Sequence, residues 1–354
     1  MRPHTDLRAT GDTAYLAQPY LVGPFANGSF VNTTVLATAL SIATHWRDPR
    51  YNASGSLADY GLEENMLECV PTYIHRVASC NAANSFMAKR YADVAEFVMG
   101  DAPLAAQLRA DADGIAAAVL GELYVPGAAG GFFRALYPNG TAPEVRHVMD
   151  YVYVTLYLGV IPPAAAAAAA AADRNYIPAA TAAEMASFAK RELLVPHWMR
   201  ALSLNDSAAP FSNRSDHGPS GAYTGWPALT ARSLGAGGDY AAARAFLEDT
   251  LFVAQLGAYG QAVEVRPPGD PYKPMDVTLY NEAVSISMAD TVVQTLFGVQ
   301  PPLVLPGLPA PAGAPLVDAA VARGFNGTLW GFVWQGKRVN VVSDAATGLT
   351  VVPA

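Results

Sequence analysis

Apolar residues recur every three to four positions along most of the chain up to about residue 298, the period of helices that bury one face. Nine segments carry this pattern: 31–46, 63–79, 82–99, 104–124, 145–158, 179–194, 224–234, 240–256 and 281–297. Gly- and Pro-rich connectors separate them at nearly regular intervals. Tyr240, Ala243, Leu247, Leu251 and Ala254 form one core-facing stripe, with Asp239 as its expected N-cap and Gly257 as its stop. From 301 to 315 (PPLVLPGLPAPAGAP) proline removes the helical period. Beyond it the alternation is that of strands: 327–333 and 338–343 joined by Gln335-Gly336-Lys337, then 349–352 after Thr347-Gly348. The expected organisation is an all-α domain over 1–300 and, over 301–354, a Pro-rich linker with a small β-tail packed against it. The nine-alanine run at 164–172 reads as a low-complexity expansion without chemistry.

Composition narrows the function classes. Of 354 residues, 52% are apolar and 15% charged, which describes a well-filled core under a lightly charged surface. A net charge of −8 without a basic run argues against nucleic acid as a partner. No apolar run reaches the roughly 18 residues of a membrane span. Protease, phosphate-loop and dinucleotide motifs do not occur. Cys69 and Cys80, the only cysteines, sit about 16 Å apart if one helix carries both, so two buried thiols are expected rather than a bridge. No metal-ligand spacing is present and no cofactor is implied; His147 and Asp150, one helical turn apart, read as a core hydrogen bond before they read as metal ligands.

Seven of 13 asparagines begin an Asn-x-Ser/Thr triplet without proline at x: Asn27, Asn32, Asn52, Asn139, Asn205, Asn213 and Asn326. Chance at this serine and threonine content gives about one or two such triplets. The expectation is a glycoprotein of the secretory lumen or cell exterior, with these sites on surface loops. The first thirteen residues are polar and lack the apolar core of a signal peptide, so a signal segment and further helices are expected upstream.

The stretch 197–234 (HWMRALSLNDSAAPFSNRSDHGPSGAYTGWPALTARSL) concentrates Trp198, Asp206, Arg214, Asp216, His217, Tyr223 and Trp226 in one long loop that enters a helix. Long loops in compact domains usually carry function. Carboxylates, a guanidinium and aromatic planes together suit sugars, whose C–H faces stack on rings while vicinal hydroxyls take paired hydrogen bonds. The stretch resembles members of the six-hairpin glycosidases, the (α/α)6 toroids that include trehalases and processing glucosidases. EENMLECVPTYIHRVASCNAAN (63–84), VRHVMDYVY (145–153), YGQAVE (259–264) and the closing helix 280–298 resemble segments of the same family in the same order. The resemblance covers roughly residues 10–300 and implies a toroid whose inner helix ends open onto one acidic, aromatic-lined cavity. The nine helices read here fall short of six full hairpins, in keeping with missing upstream helices.

Glycoside hydrolysis needs a protonated carboxyl for the leaving oxygen and a second carboxylate, roughly 6.5–9.5 Å away in inverting enzymes. Asp150 sits in an apolar helix (VMDYVYVTLYLG), which raises a carboxyl pKa; its bland reading is a buried aspartate tied to Arg146. The resemblance favours Asp150 as the acid and places Glu264 where the base falls, against a surface glutamate paired with Arg266. Glu282 opens the closing helix and ranks behind it, because a carboxylate there can simply complement the helix dipole. Asp216-His217-Gly218-Pro219 with Trp226-Pro227 resembles the sugar-binding hairpin entrance of trehalases. Asp216, Trp226, His217, Arg214 and Tyr223 are therefore expected to bind substrate; for Asp216 and Trp226 the bland reading is an N-cap and a core tryptophan. Glu64 and Glu68, with Tyr73, could line the same cavity or form a solvated helix face. The leading expectation is an inverting glycoside hydrolase with a carbohydrate substrate. The alternatives are a polysaccharide lyase or sugar epimerase using His147, His217 and Tyr223, and a catalytically inactive glycan-binding relative.

Overall fold

The computed structural model describes residues 14–23, 28–51, 55–62, 70–161, 175–212, 217–223, 225–254, 265–266, 289–300, 316–317, 326–334, 337–344 and 346–354. Seven α-helices are found among them: α1 (Val35–Thr44), α2 (Ala78–Phe97), α3 (Ala102–Ala118), α4 (Val148–Leu158), α5 (Ala179–Phe188), α6 (Gly225–Ala236) and α7 (Tyr240–Ala254). Their starts follow local chemistry. The Thr34 hydroxyl accepts the Ala37 N–H, the Asp101 carboxylate accepts that of Leu104, and Asp239 accepts that of Ala242, as expected for α7. At the far end of α4, Gly159 adopts φ 74°, a conformation cheap only for glycine, and donates its N–H to Thr155.

The helices form two rows. α1, α2, α4 and α6 lie side by side in chain order, and α3, α5 and α7 each pack on the helix before them. The α2–α3 seam is built on small residues: Ala88, Ala92 and Ala95 face Ala105, Leu108 and Ala112, all buried, and Ser85 Oγ donates to the Ala112 carbonyl at 2.9 Å. Small side chains let the two backbones approach. The α4–α6–α7 side carries the bulk, with Tyr151, Val152, Leu158, Ala231, Leu234, Phe246 and Leu247 in one continuous core. None of the described helices is long and apolar enough to cross a membrane.

The connection after α3 and the one after α5 repeat one plan. Each helix ends in a five-residue π-turn, Val119–Leu123 or Ala189–Leu193, and enters a short strand, β3 (Tyr124–Val125) or β6 (Leu194–Val195). A return strand follows, β4 (Phe132–Arg134) or β7 (Trp198–Met199), and then Arg-Ala-Leu-x-x-Asn at 134–139 and 200–205. In each case the leucine bridges back to a residue just ahead of an earlier helix, Leu136 to Arg76 before α2 and Leu202 to His147 before α4. Gly131 (φ 89°) starts the return strand where a Cβ would stand 2.3 Å from the Glu184 carbonyl oxygen of α5. The second turn, Pro196-His197, has His197 at φ 63°; Asp249 of α7 holds it, accepting its N–H and its Nδ1 at 2.7 Å each.

Several sequence expectations need correction. Residues 70–77 are not helical: Pro71 lacks an N–H, His75 is left-handed at φ 63°, and Val77 is extended, so α2 starts at Ala78. The first half of this segment, with Cys69, lies outside the described residues, and Cys80 is buried in α2. Val31–Thr34 forms β2, paired with β1 (Pro19–Val22), where its β-branched residues suit an extended ribbon. Glu144–Val145 forms β5 against β4 rather than the start of α4. Of the closing helix only 289–296 is described, and it ends in another π-turn, Val292–Leu296. Near the C-terminus β8 (Gly327–Trp334), β9 (Lys337–Asp344) and β10 (Gly348–Pro353) form an antiparallel sheet whose Val341, Leu329 and Val351 pack on Phe297 and Val299.

Arg146 ties the second connection together. Its Nη1 donates to both Glu192 carboxylate oxygens at 2.9 Å, its Nη2 to Glu144 at 2.9 Å, and its guanidinium lies 4.0 Å over the Phe132 ring. Burial alone would raise the Glu192 pKa, but hydrogen bonds from Ser203, Arg191 and Arg146 hold it below the usual glutamate value. Glu192→Ala leaves the half-buried guanidinium with the more exposed Glu144 as its remaining carboxylate and is expected to cost about 3 kcal/mol in urea unfolding. The cost should shrink in acid, where the wild type protonates Glu192 and loses the same bonds. A loss under about 1 kcal/mol at neutral pH would show the clamp to be dispensable.

Candidate active site

The N-terminal end of α4 carries His147, which joins an aromatic cluster, and Asp150, a buried carboxyl. His147 is the N-cap: its Nδ1 accepts the Met149 N–H at 3.0 Å, so Nδ1 carries no proton. The proton is therefore on Nε2, which donates to the His217 carbonyl at 3.2 Å. Burial, then the neighbouring His217, push the His147 pKa well below the ordinary histidine value. It is a neutral, doubly engaged ring. His147, His217, Tyr153 and Tyr223 all pack on the Trp226 indole, with centroid separations of 5.9 to 6.1 Å. Tyr153 stacks on Tyr157 at 5.2 Å, and Tyr157 meets Phe86 of α2 at 5.1 Å. An aromatic line thus crosses α6, α4 and α2.

Asp150 lies in the first turn of α4 and is 1% exposed. Its Oδ1 accepts the Ser79 N–H at 2.9 Å and the Tyr73 hydroxyl at 2.7 Å. The Ser79 hydroxyl completes a short hydrogen bond with the Tyr73 oxygen. Because Tyr73 donates to Asp150, Ser79 must donate to Tyr73. Oδ2 is buried and has no hydrogen-bond partner. Burial raises the Asp150 pKa to about 7, with the Asp206 charge adding to it and the bonds from Tyr73 and Ser79 opposing it. The tie to Arg146 that the sequence offered as the bland reading does not form, since that guanidinium serves Glu192 and Glu144 instead.

The expected site residues divide accordingly. His217 and Tyr223 come together on Trp226 at the start of α6, whereas Asp150, in the first turn of α4, meets Tyr73 and Ser79. Trp226 is 3% exposed, nearer a core tryptophan than an open stacking platform. Asp206 is structural: it accepts the backbone N–H groups of Arg146 and Ala208 at 2.7 Å. Glu64, Glu68, Arg214, Asp216, Glu264 and Glu282 lie outside the described residues. Tyr73, expected beside Glu64 and Glu68, is a partner of Asp150; the bond spans 77 residues, and no local pattern announces it. Cavities of about 480, 430 and 230 Å³ open beside α1, between α1 and α2, and at the far ends of α4 and α6; none of the three is lined by Asp150. Among the described residues no cluster could hold a metal ion.

Comparison with known proteins adds no identity: no protein-family model and no curated protein matches the chain.

The raised Asp150 pKa has a thermodynamic consequence. The native state holds this proton between about pH 3.8 and about 7, while the unfolded chain has released it. Stability from this group is therefore full below pH 3.8 and falls through that window, by on the order of 4 kcal/mol. Asn mimics the neutral acid, with Oδ1 keeping both hydrogen bonds and Nδ2 replacing the unpartnered oxygen. Asp150→Asn should match the wild-type melting temperature near pH 4 and exceed it by several degrees at pH 8. A difference independent of pH would mean that Asp150 is ionised in the native state throughout.

Proposed function

We propose that this chain is a carbohydrate-active enzyme, a glycoside hydrolase of the (α/α)6 toroid type, with Asp150 as its general acid. The observation that carries the reading is the state of Asp150: a carboxyl protonated up to about pH 7, fixed through one oxygen and unbonded at the other, in the first turn of the helix that His147 caps. Such a group can deliver a proton to a leaving glycosidic oxygen at neutral pH, where an ordinary aspartate is already ionised. Two rows of alternating helices, with inner helices adjacent in chain order, suit the toroid. Glu264 is the proposed base, and an inverting course follows if it stands a water's width from Asp150. Asp216, Arg214 and Glu64 are proposed to meet sugar hydroxyls, with His217, Tyr223 and Trp226 behind them.

A lyase or epimerase using His147 as proton shuttle is less well supported, because both ring nitrogens are engaged and burial keeps the ring neutral. The near-complete burial of Asp150 favours a second reading, a glycan-binding relative in which the carboxyl only joins α4 to α2. Transfer requires Oδ2 to be uncovered when sugar binds.

The two readings part in one assay. Against a panel of aryl glycosides and disaccharides, the enzyme reading expects hydrolysis that weakens above about pH 7, as the acid loses its proton. Asp150→Asn should lower turnover by orders of magnitude with sugar affinity little changed. Glu264→Gln should do the same, and the first-formed product should carry the inverted anomeric configuration. Binding without hydrolysis leaves the second reading; turnover unchanged in Asp150→Asn removes Asp150 from the chemistry.

A further inference from the structure

The asparagines divide by surroundings in a way the glycosylation triplets alone do not require. Among the described residues, Asn32, Asn139, Asn205 and Asn326 begin such triplets, and all four are exposed. Asn81, Asn84, Asn175 and Asn340 do not, and none of these is exposed; Asn81 and Asn340 are buried. Asn81 is committed to the fold, its carboxamide bonding the Ala58 N–H and two carbonyls. Asn340 likewise accepts the Gly331 N–H. Accidental triplets would fall on both kinds of position. Exposed aromatic and aliphatic side chains adjoin two of these sites: Phe30 and Val31 precede Asn32, Leu21 lies across the ribbon from it, and Leu204 precedes Asn205; Trp330 stands four residues beyond Asn326, on β8. Singly, such residues need no explanation, but their recurrence beside glycosylation triplets does.

We propose that Asn32, Asn139, Asn205 and Asn326 carry N-linked glycans, and that Phe30 is the platform for the first sugar at Asn32. In the transfer, the Asn Nδ2 forms a bond to the anomeric carbon of an oligosaccharide carried on a lipid pyrophosphate. The bond from that carbon to the pyrophosphate oxygen breaks, its electron pair leaves with the lipid pyrophosphate, and the amide proton passes to a base of the transferase. The acceptor side needs a reachable carboxamide on a turn or ribbon. Asn139 supplies one in the turn between β4 and β5, where its Oδ1 accepts the N–H of its own triplet residue, Thr141, at 2.9 Å. Asn205 occupies the equivalent turn of the repeated connection. At Asn32 the alternation of an extended chain puts Phe30, 55% exposed, on the same face, so the apolar side of a sugar ring can cover it. The same Phe-x-Asn spacing recurs at Phe211 and Asn213; Phe211, 73% exposed, ends a 3-10 turn, and Asn213 lies outside the described residues.

The native protein, treated with a peptide N-glycosidase in heavy-oxygen water and mapped by mass spectrometry, should show labelled aspartate at Asn32, Asn139, Asn205 and Asn326, and intact asparagine at Asn81 and Asn340. An unlabelled peptide overturns the assignment at that site, and four unlabelled peptides overturn the proposal. Phe30→Ala, made in the same cells, should reduce occupancy at Asn32 at least two-fold and leave Asn139 unchanged. Unchanged occupancy at Asn32 removes the platform. The readout does not depend on the hydrolase reading and leaves it untouched.

Discussion

The guanidinium of Arg146 fixes the part of the molecule on which everything at α4 depends. It holds Glu192 from the π-turn after α5, Glu144 from β5 and the face of Phe132 from β4, while its backbone N–H is held by Asp206. His147, the next residue, caps α4, and Asp150 follows one turn later. A displacement of the clamp would therefore move the helix start, and with it the carboxyl that joins α4 to α2. Half-buried charge is costly unless every donor is met, which explains why two glutamates converge on one arginine.

The repeated connection shows how such a clamp arises from a common plan. Both π-turns carry glutamate at their fourth position, Glu122 in the first and Glu192 in the second. Glu122 is exposed, whereas Glu192 is buried and accepts Arg146 and Ser203. π-turns widen the helix by one residue and are often found at functional positions. Here the widening sends the chain from α3 or α5 into a two-residue strand, and the Arg-Ala-Leu segment then carries it back to the start of α2 or α4.

The long helices were legible because their apolar period runs over several turns, and the β-tail because its alternation does. Strands of two or three residues carry no period, so β3 to β7 could not be read; 145 looked helical because Val145 continues the apolar spacing of α4. The stretch 70–77 misled for a related reason: Val70, Tyr73 and Val77 are spaced like a helix face and are buried, yet the backbone between them turns at Pro71 and His75. Within the site, a raised pKa for Asp150 followed from its apolar helix. Its partners did not, since Tyr73 and Ser79 are more than 70 residues away and Arg146, the near neighbour, is drawn off by Glu192.

Under the proposed chemistry, Asp150 answers two opposing demands. Burial alone pushes its pKa upward, and an acid with no bonds to its neighbours would stay protonated too strongly to release its proton near neutral pH. The Ser79 N–H and the Tyr73 hydroxyl pull the value back, both through Oδ1, and they anchor α4 to α2 in doing so. A purely structural carboxyl has reason to bond both oxygens, because a buried oxygen left unmet costs on the order of 1–3 kcal/mol. Oδ2 is left unmet. The anchoring role accounts for one half of the carboxyl, and the proposed proton transfer is what gives the other half a use.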